Sequence, residues 1–188
     1  MGFFDQLSAP EECPSPARVG DPWAGPPTGV VGGWVPWRIV LVHSDNAHAF
    51  VHGFEVFETG LLFQLMARFD PNSIEFDDTP RGPVVADTCP RIGVSFSDGR
   101  KAATSATGVP PTGGAEDRPC MRGRGGTGHP GEWRRGYWLW PLPPPGPLTW
   151  HAIWPDLGIV ESHVQVDASE LGTAARASDR LWGSTDQG

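Results

Sequence analysis

Cysteine is scarce in this sequence, with three residues among 188, at positions 13, 89 and 120. No two of them form a Cys-x-x-Cys pair, so the sequence indicates neither a zinc site nor a disulfide framework. Long apolar runs are also lacking, since no stretch approaches the ~18–20 residues that span a bilayer. Residues 1–7 lack the basic region of a signal peptide. We therefore expect a cytoplasmic protein without a membrane partner.

Basic residues are outnumbered, with 14 Lys and Arg against 22 Asp and Glu and a net charge of −8. This charge argues against general binding of nucleic acid or of anionic membranes, because both reward a basic surface. The charge is also uneven, since acids are concentrated in residues 55–87 and bases in residues 100–135. Such a chain can dock on a second copy of itself, although a solvated, screened surface is the commoner outcome.

Glycine and proline, by contrast, are abundant, with 25 and 21 residues. Their concentration in residues 8–36 predicts a disordered Pro/Gly-rich arm over residues 1–36. The nine Trp and nine Phe indicate a folded domain over residues 37–188, because aromatic side chains offset chain entropy only when they are buried together. Within the arm, Phe3 and Phe4 can form one turn of helix that docks elsewhere.

Alternating apolar residues and β-branched or aromatic content predict strands after position 36. In the second of these strands, His48, His52 and Phe54 are expected on one face. The Asp98-Gly99 pair predicts a hairpin with a two-residue type I′ turn. The eight predicted strands cover residues 37–43, 47–57, 61–69, 92–97, 100–104, 133–140, 148–154 and 159–166.

One helix is predicted near the C-terminus, over residues 167–182. Asp167 can cap it while Glu170 completes a capping box, and an apolar stripe runs from Leu171 to Trp182 at helical spacing. No strand–helix–strand alternation precedes it. The sequence therefore predicts a mainly β fold, an antiparallel β-sandwich of about eight short strands with one C-terminal α-helix and a disordered N-terminal arm.

Three histidines form the candidate metal site: His43, His48 and His52. On one strand His48 and His52 point to the same face but lie roughly 13–14 Å apart at ~3.3 Å per residue. That is too far to share one ion, whose ligand distances are ~2.0–2.1 Å. His43 and His48 can still meet across a tight hairpin. A metal site and ordinary strand-edge histidines are both open interpretations.

Arg122 and Arg124 lie in a Gly/Arg-rich stretch, residues 108–131, that is predicted to be a flexible loop. Its sequence is similar in composition to phosphate-binding glycine loops and to RGG-type RNA segments. It lacks the Gly-Lys-Ser/Thr of a P-loop and the repetition of an RGG segment. The two arginines are nevertheless candidate ligand-binding residues.

Four tryptophans flank a proline-rich connector, Trp138 and Trp140 before it and Trp150 and Trp154 after it. They are candidates for a platform that stacks sugars, and the Pro-x-x-Pro pattern between them is typical of polyproline ligands. Packing of two core strands explains the same pattern and is the favoured interpretation.

No residue stands out as catalytic. Ser44 lies between His43 and Asp45, but neighbours on a strand point to opposite faces, so these three cannot form a triad. Acidic pairs such as Glu55 and Glu58 occur in every acidic chain and do not indicate a glycosidase. No cofactor is expected.

Several segments resemble a group of uncharacterised actinobacterial proteins. They are the MGFFD start, the Pro-rich arm, VSFSDGRK at 94–101, YWLWPLPPPGPL at 137–148 and WPDLGI at 154–159. The resemblance implies a bacterial source and a cytoplasmic setting, and it carries over no functional residue.

Three functions follow as hypotheses. The favoured one is a non-enzymatic β-sandwich module for protein interaction or structure. Its partner is another protein or a second copy, held through the N-terminal arm or the Gly/Arg-rich loop. The alternatives are a carbohydrate-binding or glycan-active domain that uses the tryptophans, and a small metalloprotein that uses the histidines.

Overall fold

The computed structural model describes residues 2–6, 21–72, 90–104 and 118–182, and antiparallel strands make up most of these residues. One α-helix, α1 (Ser169–Arg176), and two short 3-10 turns, Phe4–Gln6 and Pro155–Leu157, complete the described elements. The strands are β1 (Val30–Val31), β2 (Gly33–His43), β3 (Ala47–Val56), β4 (Leu61–Phe69), β5 (Arg91–Ser95), β6 (Lys101–Ala103), β7 (Cys120–His129), β8 (Glu132–Trp140), β9 (Pro147–Trp154), β10 (Ile159–Asp167) and β11 (Asp179–Arg180).

The strands form two main sheets. One has five strands in the order β2-β3-β4-β8-β7, and the other has four in the order β10-β9-β5-β6. A two-stranded pairing of β1 with β11 lies beside them. The prediction of a mainly β, sandwich-like fold with a single helix is confirmed. Among the described residues, no helix has the length and apolar character needed to cross a membrane.

The core lies between the inner faces of the two main sheets. Trp150 on β9 is fully buried and meets Phe54 and Phe63 of the five-stranded sheet edge to face, with ring centroids 5.9 and 5.0 Å apart. Trp154 meets Phe69 in the same way. Edge-to-face pairs of this kind add to the hydrophobic gain from burial, so the aromatic residues of both sheets hold the sandwich closed.

A β-bulge in β3 changes the predicted facing of its residues. The pairing register shifts between His52 and Glu55, and Gly53 adopts a positive φ of 66°. An extra residue in one strand reverses the alternation beyond it. His48 and His52 share the outer face, as predicted, but Phe54 is buried in the core, so its predicted place on the same face was wrong.

The predicted disordered arm, residues 1–36, includes residues that the structure places in strands. β2 begins at Gly33, not at position 37, and Val30–Val31 already pairs with β11. A Cβ at Gly33 would lie 2.0 Å from the Ala174 carbonyl oxygen, so glycine lets β2 approach α1. Residues 7–20 of the arm lie outside the described residues.

The Gly/Arg-rich stretch is not a loop where the structure describes it. Cys120–His129 forms β7, which pairs with β8 along its length and carries a bulge between Arg124 and Gly126. Gly125 at that bulge has a φ of 63°. The four glycines of β7 have little strand propensity, which the pairing of β7 with β8 overrides. Residues 105–117 lie outside the described part.

The turn between β5 and β6 differs from the predicted two-residue turn. In the β5–β6 hairpin, the Phe96 N–H donates to the Arg100 carbonyl and the Gly99 N–H donates to the Phe96 carbonyl. This pattern encloses a three-residue loop, with Gly99 at φ 87°, instead of a two-residue type I′ turn.

Helix α1 ends at Arg176, well before position 182. Leu171 and Ala175 are buried, but Leu181 and Trp182 are exposed, because the chain turns into β11 after the helix. At the other end, the Asp167 carboxylate accepts the Ser169 N–H at 2.9 Å, although Ala168 occupies the N-cap position.

Candidate functional site

The tryptophan platform expected from the sequence is not assembled on the described surface. Trp138, Trp150 and Trp154 have no exposed surface, and Trp140 is half-buried. Trp150 and Trp154 face the core, as the pairing of two sandwich strands requires. A sugar stacks only on an accessible ring face, so these residues do not provide the predicted platform.

The outer side of Trp138 and Trp140 is covered by residues 21–25. The Trp138 indole N–H donates to the Pro22 carbonyl at 3.0 Å, and the rings of Trp23 and Trp140 meet edge to face. The second half of the predicted arm thus contacts the protein's own five-stranded sheet.

Arg124 takes part in the same contact. Its guanidinium donates to the Ala24 carbonyl at 3.2 Å and occupies the space that a Cβ at Gly25 would fill. Arg122 lies on the same strand, opposite Trp138. The two arginines lie on the edge strand of the sheet, and Arg124 holds residues 21–25 in place.

The histidines meet only in part. His43 and His48 flank the β2–β3 turn and their Nδ1 atoms are 3.0 Å apart, as expected for a tight hairpin. The ring of Phe50 separates His48 from His52. Within the described ranges, no three His, Cys, Asp or Glu side chains come close enough to hold one metal ion. The predicted three-histidine metal site is therefore wrong.

The same histidines form part of a different arrangement, which we call the histidine–arginine face. Along the outer side of β3, the rings of His48, Phe50 and His52 follow one another with centroids 5.5 and 5.4 Å apart. Its members, all on the outer side of β2, β3, β4 and β8, are Arg38, His43, His48, Phe50, His52, Met66, Arg68 and Arg134.

Three guanidinium groups surround the ring row. Arg38 lies over the Phe50 ring, 4.9 Å from its centroid, which is a cation–π contact. Arg68 is the cross-strand neighbour of His48. Arg134, on the next strand, shares the Glu132 carboxylate with Arg68, at 2.6 and 3.1 Å. Glu132 thus fixes two arginines side by side on the surface.

Burial and neighbouring positive charge disfavour protonation of the central histidines. Burial, followed by the charges of His43, Arg38 and Arg68, lowers the pKa of His48. Burial, followed by the charges of Arg134 and Arg38, lowers the pKa of His52. The hydrogen bonds from Arg134 and Arg68 lower the pKa of Glu132, against the opposing effect of its desolvation.

Two polar atoms of this face lack partners. The Nε2 atoms of His48 and His52 are buried and make no hydrogen bond among the described residues. An unpaired buried polar atom is costly, so each such atom in a native protein calls for an explanation. Both atoms are shielded from solvent, so the charged and aromatic groups around them form the accessible part of this face.

A second cluster of polar side chains lies on the outer face of the four-stranded sheet. Ser95 Oγ is 3.2 Å from His151 Nε2, and His151 Nδ1 is 3.4 Å from Glu161 Oε1. The three residues come from the adjacent strands β5, β9 and β10. No local pattern predicted this cluster, because its members are far apart in the sequence and come together only through the strand order.

The N-terminal segment covers this cluster. The Phe3 ring is stacked on the His151 imidazole with centroids 4.0 Å apart, and the Phe3 N–H donates to Glu161 Oε1 at 2.8 Å. Phe3 is buried. The expectation that this segment forms one docked helical turn is confirmed.

Comparison of the chain with protein-family models, with curated proteins and with solved structures gives no match.

Proposed function

We propose that this protein is an interaction module that binds an acidic segment of a partner protein on the histidine–arginine face. The observation that carries the proposal is the grouping of Arg38, Arg68 and Arg134 around the row of rings on β3. Guanidinium groups pair with carboxylates through two parallel hydrogen bonds, which favours an acidic ligand.

Charge distribution supports a protein partner. The net charge of −8 disfavours binding to nucleic acid, whose phosphates repel an acidic protein. The arginines of this face therefore act as a local basic patch on an acidic molecule. The half-buried Phe50 lies between the arginines and offers apolar contact, whereas its neighbour Met66 is buried. Arg and aromatic side chains are enriched in protein interfaces.

Protonation of the histidines would add to the proposed contact. A carboxylate held by the arginines would stabilise a positive charge on His48 or His52. The N-terminal arm and the Gly/Arg-rich stretch are less suitable as the main contact, because their described parts, residues 21–25 and Arg124, contact each other.

Fluorescence anisotropy with a labelled peptide of alternating Glu and Phe tests the proposal. The variant Arg38→Gln/Arg68→Gln should weaken binding by about tenfold or more, the effect of losing charge-assisted pairs. The matched control is Arg176→Gln/Arg180→Gln, which removes the same charge from exposed positions away from this face. Binding should tighten from pH 7.5 to 6 as the histidines gain protons. Equal losses in the two double variants would contradict the assigned surface.

A further inference from the structure

The cluster on the four-stranded sheet has the arrangement of a nucleophile, a base and an orienting acid. Ser95, His151 and Glu161 lie on adjacent strands, with 3.2 Å between the hydroxyl and Nε2 and 3.4 Å between Nδ1 and the carboxylate. Catalytic hydrogen bonds are often long in ligand-free structures. Such a site is recognised by geometry and not by order in the sequence.

We propose that Ser95 is the nucleophile of an esterase site, that His151 is its general base and that Glu161 orients the imidazole. A carboxylate only accepts hydrogen bonds, so the proton of the neutral imidazole belongs on Nδ1, which faces Glu161. Nε2 then carries the lone pair and accepts the Ser95 hydroxyl proton. This site is independent of the histidine–arginine face, which lies on the other sheet.

The surroundings of His151 favour the neutral imidazole, which is the form that acts as a general base. Burial lowers the pKa of His151, and the charges of His163 and Lys101 act in the same direction, whereas Glu161 opposes them. The imidazole is therefore neutral near pH 7. Lys101 is the cross-strand neighbour of Ser95 on β6, and its ammonium group lies over the Phe3 ring that covers His151.

The substrate class follows from what occupies the site. The Phe3 ring is stacked on the imidazole within 12° of parallel, and the Lys101 ammonium lies 5.3 Å from the ring centroid. A Cβ at Gly93 would lie 2.3 Å from the ring, so glycine leaves room for it. The site thus accepts a planar aromatic group, and we assign it an aryl ester.

The docked Phe3 also holds the site inactive. Its ring covers the imidazole, and its backbone N–H takes the Glu161 oxygen that lies nearest to His151 Nδ1. The Nδ1 atom is buried and makes no well-aligned hydrogen bond. Release of Phe3 frees that oxygen for Nδ1 and opens the space for the ester.

The proposed reaction is the hydrolysis of the aryl ester in two steps. Ser95 Oγ bonds to the ester carbonyl carbon while its proton moves to His151 Nε2, and the Lys101 ammonium faces the oxyanion. The bond from that carbon to the alcohol oxygen breaks, and the alcohol leaves with the proton from Nε2. Water then gives a proton to Nε2 and its oxygen to the acyl group. The acid departs, and Ser95 regains its hydrogen from Nε2.

A fluorophosphonate reagent and 2-naphthyl acetate test the full-length chain. We expect an adduct on Ser95, located by peptide mass spectrometry, and faster labelling in Phe3→Ala than in the unchanged protein. His151→Gln should slow labelling about 100-fold, the size of a general-base effect. Ser97→Ala is the matched control, because Ser97 is exposed and donates to the Pro145 carbonyl, away from His151.

Two measurements distinguish loss of the proposed site from loss of the fold. Circular dichroism establishes that each variant is folded, and adduct mapping on the unchanged chain does not depend on any variant. Labelling of Phe3→Ala alone supports both the site and its cover. The absence of a Ser95 adduct in both proteins, or labelling that His151→Gln leaves unchanged, overturns the proposal.

Discussion

The Phe3 ring lies parallel to the His151 imidazole, with their centroids 4.0 Å apart, in a space that exists because residue 93 is glycine. This contact joins the first residues of the chain to the middle of the four-stranded sheet. It makes residues 2–6 part of the folded protein. Its contribution to the free energy of unfolding can be measured by mutation.

Gly93→Ala is expected to displace Phe3, because the added Cβ would lie 2.3 Å from the ring. The free energy of unfolding should fall by about 1–3 kcal/mol, as for an overpacked site. Urea denaturation measures the loss, and limited proteolysis reports release of residues 2–6. In a Phe3→Ala background the same substitution should cost much less. An undiminished cost there would assign the effect to the strand and not to the ring.

Gly172→Ala is expected to stabilise the protein by about 0.5–1 kcal/mol, because glycine weakens a helix interior. The new Cβ would be 3.7 Å from the Arg176 guanidinium, an ordinary contact. Thermal denaturation should show a higher Tm. A loss of stability would mean that α1 packs more tightly around position 172 than the structure indicates.

Trp150→Ala is expected to lower the free energy of unfolding by about 3–5 kcal/mol, since it removes a fully buried ring from the core. The matched control, Trp34→Ala, changes a side chain that is 65% exposed and should stay within about 0.5 kcal/mol of the unchanged protein. Guanidinium denaturation followed by circular dichroism compares the two. Similar losses would contradict the assignment of Trp150 to the core.

Stability is expected to fall as the pH drops from 7.5 to 5.5. Burial, with neighbouring cations, holds the pKa values of His48 and His52 below the ordinary value of about 6.5 in the folded protein. The unfolded chain therefore binds more protons in this range, so the free energy of unfolding rises with pH. His151 acts in the same direction, because burial lowers its pKa as well.

The variant His48→Gln/His52→Gln tests this dependence. Urea denaturation at several pH values should show a shallower slope than in the unchanged protein. The matched control is His129→Gln, at a side chain that is 67% exposed on the β7–β8 turn, and the double variant should flatten the slope more than this control does. An unchanged slope in the double variant would place the pH dependence elsewhere in the molecule.

Sequence patterns correctly predicted the elements that depend on residues close together in the chain. The alternation of β9 places Trp150 and Trp154 on one face, and the structure buries both. Gly99 marks the β5–β6 turn, and Asp167 marks the start of the helical region through its contact with Ser169. Each of these features depends on neighbours close in the sequence, so local pattern was sufficient.

Other features were set by partners far along the chain. β7 is a strand because β8 pairs with it, against the weak propensity of its glycines. The bulge at Gly53 separates Phe54 from His52, although simple alternation puts them together. A strand's face is decided by register, and register is set by the partner strand.

The amino-acid sequence by itself determined a β-rich fold with an aromatic core and one helix, because periodicity and composition act locally. Only the tertiary structure decided what lies on the two outer sheet faces. Arg38 and Arg134 gather around the rings of β3, and Ser95 meets His151, solely through strand order. Phe3 covers the second site from far along the chain, a contact that hydrophobic burial and the missing Cβ of Gly93 make possible.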